Sequence, residues 1–411
     1  MLGREPKDFD LVTDATPGQV KRLFRNCRLI GRRFRLAHLH FSDEIVEVAT
    51  FRAAEPEEPA EEELLAATPA AGAGKASPAP RHLKSEEGVV LRDNVFGTLE
   101  EDALRRDFTV NALFYDIGDF SIIDYTGGME DLKRGVIRTI GDPVVRFTED
   151  PVRMLRAIRF AAMLGFTIED ATWDALVGQS ATINRSSPPR LYEEILKLFL
   201  CGEGEKGFQF LRRSGQMSAL LPGFSDWLDK ESEGFPHTRI GQALDWIDRL
   251  VLNGEKVTPQ LLLALMFGEY LEEKTEGFRH AGAPLQQSLD MATAELLGEL
   301  SGTVLIPHKI GVQVRDILSY QRRFHKTPGK QPLSFISRPS FTEALECFRF
   351  ACSATGEGMN ILSFWERFVL ENLPAAAGET AGRQEPSLTR SPVKRSRRKR
   401  RPKKAHRTQS P

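Results

Sequence analysis

No apolar run in the 411-residue chain approaches the roughly 18–20 residues that a membrane span requires, and the opening MLGREPKDFD has no apolar signal core. Membrane insertion and secretion are not expected, and a cytoplasmic location is. Cysteines number only four (Cys27, Cys201, Cys347 and Cys352), scattered as suits a reducing compartment. Cys347 and Cys352 have no second Cys/His pair of the kind a structural zinc site uses, so both read as core residues. No repeat of fixed period is present. A phosphate-binding Gly-Lys loop is missing too. GAGKAS at Gly72–Ser77 has Pro69 where the first glycine belongs and Ala76 where Ser or Thr belongs.

Acid is absent from the last stretch. Residues 391–411 hold ten Lys/Arg and no Asp or Glu, so the preceding 390 residues carry −11 against −1 for the whole chain. A basic block this dense does not fold by itself and reads as a tail for a polyanion, nucleic acid first. Ala375–Arg390, rich in Ala, Gly and Pro, reads as the linker to it. Residues 53–88 carry six glutamates between Glu55 and Glu63, then Ala/Pro/Gly-rich sequence, and read as a disordered insert within a folded domain.

Short β-type runs at Phe9–Val12, Leu36–Phe41 and Ile45–Phe51 mix with a helical run at Gly18–Phe24, so the first part is α/β. From Glu149 onward the pattern is helical. Ile240, Ala243, Leu244, Ile247, Leu250 and Val251 follow a 3.6-residue period, as do Phe341, Ala344, Leu345 and Phe348, which marks helix-bundle core. The expected fold class is a multidomain α+β/α protein: an α/β head at 1–142, a helical neck at 143–205, a helical body at 206–374 and a linker with basic tail at 375–411.

Four places can carry chemistry. On a strand, Asp8 and Asp10 share one face while Phe9 points the other way, and two adjacent carboxylates call for a hard divalent cation such as Mg²⁺. Asp-x-Asp is equally at home on a solvated turn. Glu47 is an acid within the apolar run Ile45–Ala49, where an unpaired buried charge is costly. Arg105-Arg106-Asp107 joins two cations to a third acid. In Glu149–Phe160, Asp150 fits an N-cap, Pro151 the first helical turn and Gly165 a C-terminal stop, with Leu155, Ile158 and Ala162 as the buried stripe. Arg153, Arg156 and Arg159 spread over the other faces. An acid and a planar donor at a helix start can read a base edge; simple capping beside a basic face accounts for the same residues.

These segments resemble the class II nucleotidyltransferases, which comprise the bacterial poly(A) polymerases and the CCA-adding tRNA nucleotidyltransferases. The resemblance runs from about Pro6 to Leu200. It rests on KDFDLVTDATP (Lys7–Pro17), IVEVATFR (Ile45–Arg52), RRDFTVNAL (Arg105–Leu113), DYTGGMEDL (Asp124–Leu132), EDPVRMLRAIRFA (Glu149–Ala161) and PPRLYEEILKL (Pro188–Leu198). It implies a polymerase β-like α/β head and template-independent transfer of AMP from ATP to RNA 3′ ends, with pyrophosphate released. In that frame Asp8 and Asp10 bind the catalytic Mg²⁺ ions of a two-metal site, Asp107 is a further catalytic acid and Glu47 a candidate member of the acidic cluster. Arg106, Asp150, Arg153 and Arg156 bind the nucleotide, and Arg190 with Glu194 makes a structural ion pair. Leu29–His38 resembles the segment that marks poly(A) polymerases, with CCA addition to tRNA as the alternative. His38 and His40 lack a third ligand and read as strand histidines. Arg32 and Arg33, with the tail cations Lys394, Arg395, Arg397, Arg398, Lys399, Arg400, Arg401, Lys403 and Lys404, are expected to hold RNA. The family's first strand and Gly-Gly phosphate loop would precede Met1. Their absence implies a start assigned too far downstream, a fragment, or an RNA-binding protein with an impaired site.

Overall fold

The computed structural model of the chain describes residues 2–3, 11–31, 35–42, 44–53, 83–84, 90–92, 96–230, 238–327 and 329–372. The expectations for Asp8, Asp10, Arg32, Arg33, most of the 53–88 insert and the basic tail fall outside these residues. Met1–Trp365 forms one compact unit, and Glu366–Pro411 a second.

The first described strand, β1 (Leu11–Thr13), is followed by a helix whose start is written in the sequence. Thr16 and Gln19 make a capping box, and Pro17 occupies the first turn of α1 (Pro17–Leu23). Three further strands, β2 (Cys27–Ile30), β3 (Leu36–His40) and β4 (Ile45–Thr50), complete a sheet of order β1-β4-β3-β2. Only β1 runs parallel to its neighbour, with Leu11 opposite Val48. Val20 of α1 packs with Cys27, Ala37 and Leu39 on one face of the sheet. The β-type runs expected at Leu36–Phe41 and Ile45–Phe51 are thus in place, and of the run expected at Phe9–Val12 the part among the described residues, Leu11 and Val12, lies in β1. β2 was not expected, because CRLI is too short and too weakly alternating to stand out.

A short hairpin follows, β5 (Leu83–Lys84) with β6 (Val90–Arg92). Thr98 and Glu101 then cap α2 (Leu99–Leu104). A second hairpin, β7 (Leu113–Tyr115) with β8 (Ile122–Asp124), leads to the Gly-Gly of the DYTGG motif and α3 (Gly128–Arg134). The Asp124 carboxylate accepts hydrogen bonds from the backbone of Thr126, Gly128 and Met129. β9 (Val136–Ile137) pairs in parallel with β10 (Thr167–Ile168), a strand inside the region expected to be wholly helical. Two residues of edge pairing are too few to register as a periodic pattern.

Asp142 caps α4 (Pro143–Glu149), and α5 (Val152–Leu164) starts after Pro151 and stops at Gly165, which adopts φ +68°. Asp150 therefore closes α4 instead of capping α5 with its side chain. Leu155, Ile158 and Ala162 are buried as expected. They face α7 (Pro188–Phe199), which turns Leu191, Ile195, Leu198 and Phe199 inward, while α6 (Asp170–Gly178) packs on α4. Each of these buried Leu, Ile and Phe side chains contributes about 1.5–3 kcal/mol, and the Ala162 methyl about 0.8 kcal/mol. The body continues through helices at Gly204–Arg213, Thr238–Leu252, Pro259–His280, Leu285–Leu300, His308–Phe324 and Phe341–Thr355, with Met359–Asn372 last. Ile240, Ala243, Leu244 and Ile247 are buried, as are Phe341, Ala344, Leu345 and Phe348; Leu250 and Val251 are half-buried. All four cysteines are free, and burial pushes the Cys347 thiol up to about 12, in keeping with a core role. Among the described residues no helix is long and apolar enough to cross a membrane.

A methyl group added at Gly128 would lie 2.2 Å from the carbonyl oxygen of Thr109, whose backbone leads out of the RRD motif. Gly128→Ala should therefore destabilise the protein by about 2 kcal/mol or more, read as a lower midpoint in urea unfolding.

Candidate active site

Asp102 sits at the base of the site, a buried acid on α2 one turn before Arg106. Its carboxylate accepts from the Arg52 backbone amide at 3.2 Å and from the Arg106 guanidinium at 3.2 and 3.3 Å, and it lies 3.7 Å from Arg105. Arg106 also donates to the Asn111 carbonyl and lies 4.9 Å from the centre of the Phe114 ring, so its head group is fixed from three sides. The sequence reading missed Asp102. Its signal was the i,i+4 Asp–Arg spacing behind a capping box.

Asp107 is only 9% exposed. It accepts hydrogen bonds from the backbone of Phe108 at 3.0 Å, from Asn111 Nδ2 at 3.1 Å and from Arg156 Nε at 2.6 Å. Burial alone would push its carboxyl group up. The Arg156 charge, the hydrogen bonds from Arg156 and Asn111 and the more distant Arg153 outweigh that and hold it below the ordinary carboxylate range.

Arg146 on α4 straps the same loop from behind. Its guanidinium donates to the carbonyls of Arg105 and Arg106, the latter at 2.6 Å, and to Glu149 at 2.9 Å. Glu149 also receives Arg153 at 3.0 Å. Positive charge outnumbers negative here. Burial, then the guanidiniums of Arg52, Arg153, Arg146 and Arg106, push Arg105 down to about 9. Arg146 is lowered as well, by burial first and Arg153 second. Since a guanidinium keeps its proton in proteins, such shifts mark a place where an added anion is favoured.

The base-reading candidates stand on the rim. Asp150 takes both nitrogens of Arg190 in a bidentate pair at 2.8 and 3.0 Å. The expected Arg190–Glu194 pair does not form: Arg190 is taken by Asp150, and Glu194 receives Arg159 at 2.6 Å and lies 3.6 Å from Lys197. The three arginines of α5 thus serve three acids: Arg153 meets Glu149, Arg156 meets Asp107 and Arg159 meets Glu194. Arg106, Asp107, Asp150, Arg153 and Arg156 line one open cleft of about 470 Å³, joined by Asn111, Phe160 and Arg190.

Two other candidates lie elsewhere. Glu47 is not buried, as its apolar surroundings suggested. Its side chain is 47% exposed, with Oε1 2.9 Å from His38 Nε2 across the β3–β4 pair. In the β1–β4 register it precedes Val48, the partner of Leu11. His38 and His40 share a face of β3, and among the described residues no group of three or more His, Cys, Asp or Glu forms a metal cluster.

Comparison with known proteins agrees with this architecture. The Bacillus stearothermophilus CCA-adding enzyme in complex with CTP superposes with a TM-score of 0.58 at 22% identity, covering 90% of this chain and 75% of that one. The fold is that of the tRNA nucleotidyltransferases. Family models match at residues 1–138 (poly A polymerase head domain), 165–228 (probable RNA and SrmB-binding site of polymerase A) and 281–404 (polymerase A arginine-rich C-terminus). Poly(A) polymerase I of Salmonella typhi is 37% identical over 92% of this chain and 78% of its own length. A CC-adding tRNA nucleotidyltransferase of Halalkalibacterium halodurans is 32% identical over 56% of this chain and 49% of its own. The chain belongs to the bacterial poly(A) polymerases of the tRNA nucleotidyltransferase family.

Removing the partner of Asp107 should be costly. Arg156→Gln leaves a buried carboxylate without its cation and should lower stability by about 2–3 kcal/mol at neutral pH, less than a fully buried pair because Arg156 is partly exposed. The folded-state pKa of Asp107 lies below its unfolded value of about 3.9, so the pair's contribution is complete above that value and is lost as pH falls through the depressed one. Urea unfolding of the two proteins should therefore converge in the acid range.

Proposed function

We propose that this chain transfers AMP from ATP to the 3′ ends of RNA without a template, releasing pyrophosphate. The observation that carries this reading is the cleft in which the arginine and acid residues of the loop after α2, of the α4–α5 junction, of α5 and of α7 converge. Asp150 and Arg153 stand at one end of α5 with an acceptor and a donor edge, the pairing that protein side chains need to read a base in place of a template. Arg190 is a positioning residue in this scheme. Its bidentate grip removes rotational freedom from the Asp150 carboxylate, so the reading edge is set before the nucleotide arrives. Arg106 and the Arg105 cluster supply the positive charge that a triphosphate would neutralise. Asp107, kept ionised by Arg156, is the third acid of the site.

Asp8 and Asp10 precede β1 directly and are proposed to hold Mg²⁺ in a two-metal arrangement, with Glu47 as a neighbouring acid. When bound, Mg²⁺ lowers the pKa of the attacking 3′ hydroxyl and offsets charge on the phosphoryl group. We assign nucleotide handling to a head at 1–142 and a neck at 143–205, and RNA binding to a body at 206–374 and the tail. Arg32, Arg33 and Lys394–Lys404 add electrostatic grip without base choice. AMP addition is favoured over CCA addition because the relatives named poly(A) polymerase I match nearly the whole chain, and the CC-adding relative about half of it.

Primer extension on an unstructured RNA with Mg²⁺ tests the reading. ATP alone should give a long ladder and CTP alone should not. Extension that stops after a few nucleotides and needs both would mean CCA addition. Asp10→Ala should lower AMP incorporation by roughly three orders of magnitude, the several kcal/mol that metal coordination supplies; undiminished incorporation would refute the metal assignment. Deleting Lys394–Arg407 should flatten the salt dependence of RNA binding by roughly 0.7 in log–log slope for each cation engaged.

A further inference from the structure

The helical body carries a second concentration of positive charge, outside the cleft. From Ile317 to Thr342 the chain has no acid, yet it holds Arg322, Arg323, Lys326, Lys330 and Arg338. Nearby arginines show how charge is otherwise handled in this region. Arg315 pairs with Asp316 at 2.9 Å, and Arg322 with Glu276 at 3.4 Å. Arg323 and Arg338 differ: among the described residues neither has an acidic partner within ion-pair distance. Instead the Arg323 guanidinium lies 4.4 Å from the centre of the Phe335 ring and 5.9 Å from that of Tyr320, while Arg338 lies 6.0 Å from Tyr320.

The two rings meet edge to face at 5.5 Å, and they are 7% and 3% exposed for Tyr320 and Phe335. They come from different elements, Tyr320 from the helix His308–Phe324 and Phe335 from the short helix Pro332–Ile336. The turn between them passes through Gly329 at φ +75°, and Lys326 and Lys330 are exposed on it. Tertiary folding thus brings two guanidiniums, fifteen positions apart in sequence, onto one aromatic pair. Burial and the charge of Arg338 both lower Arg323 below its ordinary value, so the two cations repel and gain from a shared anion.

We infer that Arg323 and Arg338 form a phosphate-gripping site for the RNA backbone upstream of the 3′ end. The inference rests on the RNA substrate proposed above. A guanidinium held over a ring keeps its in-plane N–H edge available, and that edge fits two phosphate oxygens. Because the rings themselves are buried, no aromatic face is left for a base to stack on. The contact therefore reads the backbone and not the sequence. Lys326 and Lys330 extend it as point charges. Such a site retains a substrate between additions without entering the catalytic cleft.

The test uses the full chain and two RNAs, a short oligoadenylate that occupies the cleft alone and a long unstructured RNA, with dissociation constants measured by fluorescence anisotropy across a salt series. Arg323→Gln/Arg338→Gln should weaken binding of the long RNA roughly tenfold at moderate salt and lower its log–log salt slope by about 1.4, two contacts at about 0.7 each. Binding and extension of the short oligomer should stay as in the parent. Arg338→Gln alone, at an exposed position, should give about half the slope change and guards against a folding defect of the double variant. Arg322→Gln removes the same charge from a residue already paired with Glu276 and should change the slope little. An unchanged slope in both Arg338 variants overturns the inference, as does equal weakening of the long and short RNAs, which would assign these residues to the cleft. Binding is read independently of catalysis, so failure of AMP addition would count against the proposed function and not against this site.

Discussion

Arg156 reaches from the middle of α5 to Asp107, a carboxylate forty-nine residues earlier, and closes the contact at 2.6 Å. Much of the cleft depends on that pair. Asp107 is buried, and a buried carboxylate is tolerated only when cations and hydrogen-bond donors surround it. Asn111 and the Phe108 backbone supply the donors, and α5 supplies the cation. The RRD loop and the α5 helix are therefore each incomplete alone, and pairing them sets where the residues that line the cleft stand relative to one another.

Around this contact the molecule gathers more positive charge than it neutralises. Asp102 and Glu149 each serve two or more arginines, and Arg146 divides its donors between Glu149 and the backbone carbonyls of Arg105 and Arg106. Natural proteins rarely bury such an excess without use, because like charges at short range are destabilising and the cost must be offset elsewhere in the fold. The excess itself is what a polyphosphate requires of a binding site.

The body handles charge by a different rule. Most of its arginines are paired with acids one helical turn away or on a neighbouring helix, as with Arg239 and Glu272 or Arg279 and Glu276. Such pairs contribute little stability, but they leave the surface close to neutral. Against that background, the two arginines laid over Tyr320 and Phe335 stand apart, since aromatic rings orient a guanidinium without cancelling its charge.

Read alone, the sequence was enough for the class of fold, the helical body, and the Pro151 start and Gly165 stop of α5. Those features depend on local patterns: spacing at 3.6 residues, turn chemistry and short runs of fixed chemistry. Which charged side chains pair with which emerges from the packing of the elements. Arg190 was legible as an arginine one turn before Glu194, yet it pairs with Asp150, and Glu194 goes to Arg159. Glu47 read as a buried acid because its neighbours are apolar, but β4 turns that face outward and sets it against His38. Asp102 was not singled out in the sequence, yet its carboxylate anchors Arg106 and the Arg52 backbone amide. Long side chains reach several ångströms in many directions, so sequence spacing constrains their neighbours along one helix and says little about contacts between elements. Those contacts depend on how buried charges find compensation once the helices are packed.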